Sequence, residues 1–272
     1  MSGDSGARNR VQAVERGIDI LMALSNGART LTDVARVTGL SKGTAFRLLA
    51  SLGHEQLVIR DPNDTVYLLG PGFLRMFQGA MTDLGGIATL ARPALQELWS
   101  RTDETVTIHV RIGYERICVA ELPSSQPLRY SSTVGSTAPL HVGSAGKVLM
   151  AFLPADELDR AVANMQLSPL TRDTITDREQ FREELRTIAR QGWGMSAGER
   201  IAGAAAISVP VRGPQGLFAS LSVLGPTERM SESLRLEMLP DLQRAAGEIE
   251  EAMGRVESDG RAPLTSLDGR RK

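Results

Sequence analysis

Residues 30–54 arrange apolar and polar positions in the pattern of two short helices joined by a turn. Gly39 lies between the two apolar stripes and suits a turn in which φ is positive. Ser41 precedes the second stripe and can cap the second helix by accepting a hydrogen bond from an N–H of its first turn. The pattern therefore predicts a helix-turn-helix, whose second helix buries the positions spaced i, i+3, i+4 and i+7: Ala45, Leu48, Leu49 and Leu52.

Short polar and cationic residues occupy the remaining positions of this segment. Such side chains reach phosphates and base edges when a helix lies in the major groove. Arg47 is the strongest candidate, because an arginine can bind guanine through two hydrogen bonds or contact phosphate. Gly43 would let the start of the helix approach DNA closely, although glycine costs about 1 kcal/mol relative to alanine in a helix. The predicted DNA-contact residues are Arg36, Ser41, Lys42, Gly43, Thr44 and Arg47.

The flanking sequence favours DNA binding over an ordinary helix pair in a globular core. Residues 12–24 carry apolar positions at helical spacing and predict a helix that packs across the pair. Two β-rich runs, 56–60 and 65–69, flank the turn Asp61-Pro62-Asn63-Asp64 and predict a hairpin. Three helices followed by a hairpin make a winged helix-turn-helix, and the predicted partner is double-stranded operator DNA. A winged domain that contacts another protein remains an alternative.

The rest of the chain predicts a linker and one antiparallel α+β domain. Breaks that contain glycine enclose a short helix at 73–81, and we place the linker region at 71–90. A helix is expected at 87–101, with a kink or restart at Pro93. Thr176 begins a capping box before a helix that ends near Gln191, with Gly192 as its C-terminal stop. Further strands are predicted at 105–110, 116–122, 128–133, 204–212 and 217–224, and further helices at 144–153, 155–165 and 232–253.

Composition and charge narrow the function classes. No run of 18 apolar residues exists and the first residues lack the pattern of a signal peptide, so we expect a cytoplasmic protein without a membrane partner. The single cysteine, Cys118, cannot form an internal disulfide and is expected to be buried in a strand. The net charge of −1 conceals an asymmetry: residues 1–60 hold eight basic and five acidic residues, a charge of +3, and the remainder carries −4. The positive excess coincides with the predicted DNA-contact segment, where it would neutralise phosphates.

Four sequence blocks occur in order over residues 11–254. Together they resemble the IclR family of bacterial transcriptional regulators, and the match covers nearly the whole chain. The blocks are VQAVERGIDILMAL at 11–24, LTDVARVTGLSKGTAFRLLASL at 31–52, PLHVGSAGKVLMAFL at 139–153 and GERIAGAAAISVPVRGPQGLFASLSVLGP at 198–226.

The resemblance implies a regulator rather than an enzyme, with no cofactor. It implies a winged helix-turn-helix domain at 11–70, joined through the linker at 71–90 to a GAF-like α/β domain at 91–256 that binds an effector and forms homodimers or homotetramers. Residues 1–10 and 257–272 are expected to be disordered. We expect a repressor of a catabolic operon, whose DNA affinity responds to a small organic acid.

The resemblance also locates the effector pocket. In similar proteins, backbone amides at the start of the helix in the third block help to bind the ligand, and Ser144 and Ala145 match those positions. Some members that bind small oxo-acids carry an acidic residue, a cysteine and two serines at four further positions. Three of these four differ here and two are apolar, which predicts a bulkier, aromatic carboxylate, because burying polar groups without partners is costly. The four matching residues are Ser196, Ala206, Ser222 and Leu224.

The run from Gly143 to Lys147 resembles two enzyme motifs and satisfies neither. A P-loop requires a glycine where His141 stands and a serine or threonine where Val148 stands. A nucleophile elbow requires a glycine where Val142 stands. The remaining interpretations are a helix N-terminus that attracts an anion and a simple turn.

Other chemistry-bearing residues give weaker signals. The three histidines lack metal-ligand spacing, so no metal site is expected. His109 and His141 could line the pocket or play hydrogen-bonded structural roles. Glu199 and Arg200 are expected to lie in a solvated turn rather than to form a catalytic pair. No catalytic residue is predicted, and an enzyme that processes small molecules and carries an accessory winged domain remains the alternative function.

Overall fold

The computed structural model describes residues 11–61, 65–83, 86–213 and 216–258. The chain divides into two compact units, with the boundary between Ala80 and Met81. The predicted α+β class is confirmed, with a winged helix-turn-helix unit followed by an α/β unit. The ends expected to be disordered lie outside the described residues, except for residues 257 and 258, which belong to the last helix.

The elements of the first unit are α1 (Gln12–Ser25), α2 (Leu31–Thr38), α3 (Lys42–His54), β1 (Val58–Arg60) and β2 (Tyr67–Leu69). A capping box begins α2, because Thr30 Oγ1 accepts from Asp33 N and the Asp33 carboxylate accepts from Thr30 N. Gly39 ends α2 with φ at 69°, as the sequence predicts. Ser41 Oγ accepts from Thr44 N and caps α3, again as predicted.

The three helices of the first unit enclose a small apolar core. Ile20 of α1, Val34 of α2 and Leu49 of α3 are buried together. Strands β1 and β2 pair antiparallel, which confirms the predicted hairpin. Pro62, Asn63 and Asp64 of the predicted turn lie outside the described residues. The hairpin therefore follows α3 as the wing of a winged helix.

Three helices follow the wing. Gly70 passes so close to the wing that a Cβ added there would lie 2.2 Å from the carbonyl oxygen of Gln56, which only glycine allows. The helix predicted at 87–101 breaks at Ala91, and Pro93 lies in the first turn after the break, where proline costs no hydrogen bond. These helices are α4 (Gly72–Asp83), α5 (Ile87–Leu90) and α6 (Arg92–Thr102).

A six-stranded antiparallel sheet, in the order β5-β4-β3-β8-β7-β6, forms the centre of the described part of the second unit. Four of its strands were predicted from sequence within a few residues of their ends. The short strand β6 was not predicted. The strands are β3 (Thr105–Ile112), β4 (Glu115–Leu122), β5 (Thr137–Pro139), β6 (Gly194–Ala197), β7 (Ala204–Gly213) and β8 (Gly216–Pro226).

The two faces of this sheet differ in polarity. Ser208, Ser222 and Thr107 stand directly opposite one another on β7, β8 and β3, so that their hydroxyls form a row on one face. The residues adjacent to these in each strand point their side chains to the other face of the sheet. That second face packs against α5, α6 and a long C-terminal helix, and its central row is apolar: Ile207, Val223 and Val106.

The remaining helices of the second unit are α7 (Gly143–Ala151), α8 (Ala155–Asn164), α9 (Arg178–Gln191) and α10 (Glu232–Ser258). Every residue of α7 is buried, and α7 contacts the sheet strands and α9. Asp177, rather than the predicted Thr176, caps α9 by accepting from Gln180 N, and Gly192 ends α9 with φ at 87°. The N-terminus of α7 thus meets the polar side of the sheet.

The strand predicted at 128–133 is wrong. The carboxylate of Glu121 accepts hydrogen bonds from the N–H groups of Ser132 and Thr133, so these N–H groups cannot join a strand ladder. The edge strand is instead β5, four residues farther along the chain. None of the described helices is long and apolar enough to cross a bilayer.

Candidate functional site

Five of the six predicted DNA-contact residues lie at the start of α3. Lys42, Gly43 and Arg47 are exposed there. Ser41 and Thr44 are engaged with each other, since their hydroxyl oxygens lie 3.0 Å apart in addition to the capping bond. The first half of α3 therefore presents two cations around a glycine, with its first turn fixed by a side-chain cap.

Two neighbours complete this surface. Arg36, the sixth predicted residue, is exposed on α2 and lies 3.7 Å from the Asp33 carboxylate, which compensates part of its charge. Phe46, which precedes Arg47, was not predicted. It is 51% exposed although it is large and apolar, and such a ring can contact the methyl group of thymine. Its position outside the buried stripe of α3 was the signal available in the sequence.

The second unit contains a cavity between the polar face of the sheet and the start of α7. It encloses roughly 490 Å³ of space between atoms, its open mouth included. All six residues predicted for the effector pocket line this cavity. They come from α7, β6, β7 and β8: Ser144, Ala145, Ser196, Ala206, Ser222 and Leu224.

A chain of hydroxyl groups runs along the floor of the cavity. Ser144 Oγ lies 2.7 Å from Ser208 Oγ, which lies 2.8 Å from Ser222 Oγ. Thr107 faces Ser222 across the strand pair, and its buried Oγ1 has no hydrogen-bond partner among the described residues. Because a buried hydroxyl without a partner is costly, this atom is a candidate contact for a bound molecule.

The start of α7 is occupied by side chains from the loop after β6 and from β6 itself. Gly143 N donates to Glu199 Oε2 at 2.9 Å, and Ser144 N donates to Ser196 Oγ at 3.0 Å. The other oxygen of Glu199 accepts from Lys147 Nζ at 2.6 Å. Glu199 therefore joins the helix terminus to a buried ammonium group.

This arrangement corrects the interpretation of Glu199 and Arg200 as a solvated turn. Glu199 is only 8% exposed and Lys147 is 1% exposed. A second carboxylate, that of Glu184 on α9, lies 2.8 Å from Lys147 Nζ. Lys147, the lysine of the run that resembles a P-loop, thus links α7 to α9 and to the cavity wall.

Arg116 lines the cavity from β4 and was not predicted. Its Nη1 donates to the carbonyl oxygens of Pro139 at 3.0 Å and Val142 at 2.7 Å. Its Nε has no partner among the described residues. Burial, with a smaller effect from the charge of Arg200, lowers the pKa of Arg116 to about 9, so the guanidinium stays protonated at neutral pH.

Arg200 and His109 complete the polar wall of the cavity. Burial lowers the pKa of Arg200. Burial and the positive charges of Arg116 and Arg200 hold the pKa of His109 well below its usual range, so its imidazole is neutral at neutral pH. Like Thr107 Oγ1 and Arg116 Nε, His109 Nδ1 is buried without a partner in the described residues. His141, by contrast, bonds the carbonyl oxygen of Ser168 at 2.9 Å and plays a structural role outside the cavity lining.

The geometry can bind an anion, but it lacks the arrangement of a metal centre. No group of three histidine, cysteine or carboxylate side chains in the described ranges could hold a metal ion. Two guanidinium groups, a neutral imidazole and several hydroxyls instead line the cavity.

Two family models match the chain in order. The model of the IclR helix-turn-helix domain matches residues 13–62, and that of the IclR C-terminal domain of bacterial transcriptional regulators matches residues 80–251. The chain belongs to the IclR family. Both the winged unit and the unit that contains the cavity are therefore domains of IclR regulators.

Named IclR-family relatives are transcriptional regulators. An HTH-type regulator of Mycobacterium tuberculosis is 33% identical over 80% of this chain and 84% of its own length. The HTH-type transcriptional repressor AllR of Escherichia coli is 27% identical over 91% of this chain and 92% of its own length.

Solved structures support the same fold over about nine-tenths of the chain. A transcriptional regulator from Rhodococcus sp. RHA1 is 29% identical, with a TM-score of 0.76 over 91% of this chain and 100% of that one. An IclR homologue from Microbacterium hydrocarbonoxydans, solved in complex with 4-hydroxybenzoate, is 22% identical, with a TM-score of 0.71 over 89% of this chain and 98% of that one. The second likeness concerns the fold alone.

Proposed function

We propose that this IclR regulator represses a catabolic operon and that a small organic acid, bound in the cavity, changes its affinity for operator DNA. One observation carries the proposal for an acid: Arg116 and Arg200 line the cavity, and neither forms an ion pair among the described residues. The charge of Glu199 favours protonated Arg116 and that of Glu121 favours protonated Arg200, but neither carboxylate forms an ion pair with them among the described residues. A bound carboxylate would compensate these buried cations directly.

The exposed start of α3 is the proposed reading surface for double-stranded DNA. Arg47 is assigned to a base or phosphate, and Lys42, Thr44 and Ser41 to the backbone, with Arg36 reaching phosphate from α2. An arginine bound to guanine through two hydrogen bonds discriminates by about 1–3 kcal/mol.

The test is a gel shift with the intergenic DNA upstream of the chain's own gene. Arg47→Ala is expected to weaken binding by about 5- to 150-fold and to relax sequence preference, since one base contact is lost. Arg190→Ala is the matched control, because Arg190 is exposed on α9 in the other unit. Unchanged affinity and preference in Arg47→Ala would remove that residue from the proposal, and the absence of any salt-dependent binding would remove DNA binding itself.

A homodimer, or a tetramer built from dimers, is the proposed assembly. Val14, Ile18 and Met22 follow one another along a single face of α1 and are all more than half exposed. A second copy of the chain could cover this stripe, and two-fold symmetry would place two recognition helices on two half-sites. Ile18→Glu is expected to shift sedimentation towards the monomer, whereas Val37→Glu, an exposed position on α2, should not.

An aromatic carboxylate is the proposed effector class. The cavity wall includes apolar side chains from β7 and β8, and the complex of the Microbacterium homologue with 4-hydroxybenzoate provides a precedent in the same fold. Titration calorimetry with benzoates, glyoxylate and pyruvate separates the possibilities. Tight binding of the small acids alone would contradict the aromatic assignment.

Ligand binding can change DNA affinity only through different affinities for two arrangements of the assembly. Such coupling is typically about 1–3 kcal/mol. The helices between residues 73 and 101 connect the two units along the chain and are the proposed lever.

A further inference from the structure

Two N–H groups at the start of α7 already donate to side chains of the protein, one of them a carboxylate. Gly143 N donates to the carboxylate of Glu199, and Ser144 N donates to Ser196 Oγ. Helix N-termini attract anions through such N–H groups, and here the fold itself supplies the acceptors. An acid that enters the cavity therefore needs its main counter-charge elsewhere.

The contacts of Arg116 hold its guanidinium group in an orientation that suits a carboxylate ligand. Two carbonyl oxygens fix its Nη1, so the guanidinium plane cannot rotate freely. Its Nη2 lies 3.4 Å from where a Cβ at Gly143 would be, which places the guanidinium beside the start of α7. Its Nε, buried and without a partner among the described residues, remains available. A planar fork with an unused N–H matches the geometry of a carboxylate.

Arg200 adds a second positive charge to the same wall. Burial is the larger cause of the lowered pKa of Arg116, and the charge of Arg200 lowers this pKa further, whereas the charge of Glu199 raises it. Glu199 is the acidic residue of the lining, and its carboxylate is already bound by Lys147 and by the start of α7. A bound anion would relieve the repulsion between the two guanidinium groups.

The rest of the lining indicates which chemical groups the ligand carries away from its carboxylate. Thr107 Oγ1 and His109 Nδ1 are buried and lack partners among the described residues. A hydroxyl or oxo group on the ligand would satisfy them. The intervening wall is apolar and would contact a hydrocarbon body: Ile201, Ala204, Ala206 and Leu224.

We propose that Arg116 and Arg200 form the carboxylate subsite of the cavity, and that the effector is a monocarboxylate with a hydroxyl or oxo group bound by Thr107 and His109. The inference rests on the proposed function, because it assigns residues within the proposed effector site.

The test compares an acid with its uncharged amide. Calorimetry with 4-hydroxybenzoate and pyruvate measures acid binding, and 4-hydroxybenzamide presents a similar shape without the charge. The intact protein is expected to prefer 4-hydroxybenzoate over the amide by at least about 10-fold. Arg200→Gln, at a partly exposed position, should lose about 10-fold in acid affinity and most of this preference. Arg186→Gln, on the exposed side of α9, is the matched control and should retain both.

Arg116→Lys removes the planar fork. Burial that lowers the pKa of Arg116 would also lower that of a lysine, and the fixed contacts with Pro139 and Val142 would change, so we expect weaker acid binding and a lower thermal unfolding temperature, with the far-ultraviolet circular dichroism of the intact protein. If the intact protein binds the acid but both variants retain its affinity and preference, the subsite assignment is wrong and the proposed function stands. Equal binding of the amide and the acid leads to the same conclusion. If neither acid binds at millimolar concentration, the proposed effector function fails and this inference fails with it.

Discussion

Lys147 shows at the residue scale how the cavity wall is stabilised. Its ammonium group is buried between the carboxylates of Glu199 and Glu184. Removing charges from water is costly, so a buried pair adds little net stability relative to an apolar pair. Removing one partner is different, because it leaves the other charge buried and unpaired.

Lys147→Met is therefore expected to destabilise the protein by about 3 kcal/mol or more, since it leaves Glu199 without its cation. The free energy of unfolding, measured by urea denaturation, checks the expectation. Arg160→Met is the matched control: Arg160 pairs with Asp156 on the exposed side of α8, and such a pair contributes less than about 1 kcal/mol. Equal losses in both variants would show that burial of the Lys147 charge is not the source of the effect.

Cys118 gives a second prediction at this scale. Burial, with a smaller effect from the charge of Glu121, raises the pKa of its thiol to about 12. Because the thiolate is the reactive form, the native thiol should react with a disulfide reagent at pH 8 at least about 100-fold more slowly than the same thiol in urea. Raising the pH to 9 should not close this gap, since the folded thiol stays protonated well below its pKa. Comparable native and unfolded rates would contradict the assigned burial.

The strands explain, at the element scale, what sequence could and could not predict. Strand β3 alternates threonine or histidine with valine or isoleucine from Thr105 to Val110, a period that already places Thr107 and His109 on one face. The polar wall of the cavity was therefore partly visible in the sequence. The contribution of Arg116 to this wall could not be predicted from the sequence, because its contacts with Pro139 and Val142 join residues more than twenty positions apart. The edge strand β5 was missed for a similar reason, since the carboxylate of Glu121 binds the N–H groups of Ser132 and Thr133 and keeps them out of the ladder.

The glycine in the turn of the helix-turn-helix allows a prediction about the free energy of unfolding. Gly39 has φ at 69°, and a Cβ added there would meet no atom within 4 Å, so Gly39→Ala introduces backbone strain without a clash. We expect a loss of about 1 kcal/mol in the free energy of unfolding. Gly43→Ala is the matched substitution, because it is also unhindered but lies in α3, where alanine gains up to about 1 kcal/mol.

The two glycine variants should also differ in DNA binding. Gly43→Ala adds a methyl group where α3 is proposed to approach DNA, so a more stable protein should bind DNA less tightly. Equal destabilisation by both substitutions in urea denaturation would contradict the assigned backbone conformations.

At the scale of the whole molecule, the positive excess lies in the first unit and the proposed effector cavity lies in the second. Residues 1–60 carry +3 and the remainder −4, so the net charge of −1 hides the cationic surface proposed to bind DNA. The order of domains, the winged helix and the helix termini could be predicted from local pattern, because capping residues and apolar spacing determine them. The pairing of two arginines in one cavity could not, because Arg116 and Arg200 are brought together only by the folded sheet and its loops.

Salt dependence tests this charge distribution on the whole protein. For duplex DNA, the logarithm of the binding constant falls with the logarithm of salt concentration, with a slope of about −0.9 per neutralised phosphate. For this protein we expect a clearly negative slope of the binding constant against salt despite the acidic second unit. The cations proposed to contact DNA would interact with phosphates at short range, whereas the excess of acidic residues lies elsewhere in the chain. Lys42→Ala should weaken binding to all sequences alike and reduce the slope by about 1, since one phosphate contact is lost. Arg190→Ala should leave the slope unchanged, and a slope that responds to Arg190 but not to Lys42 would place the DNA surface on the other unit.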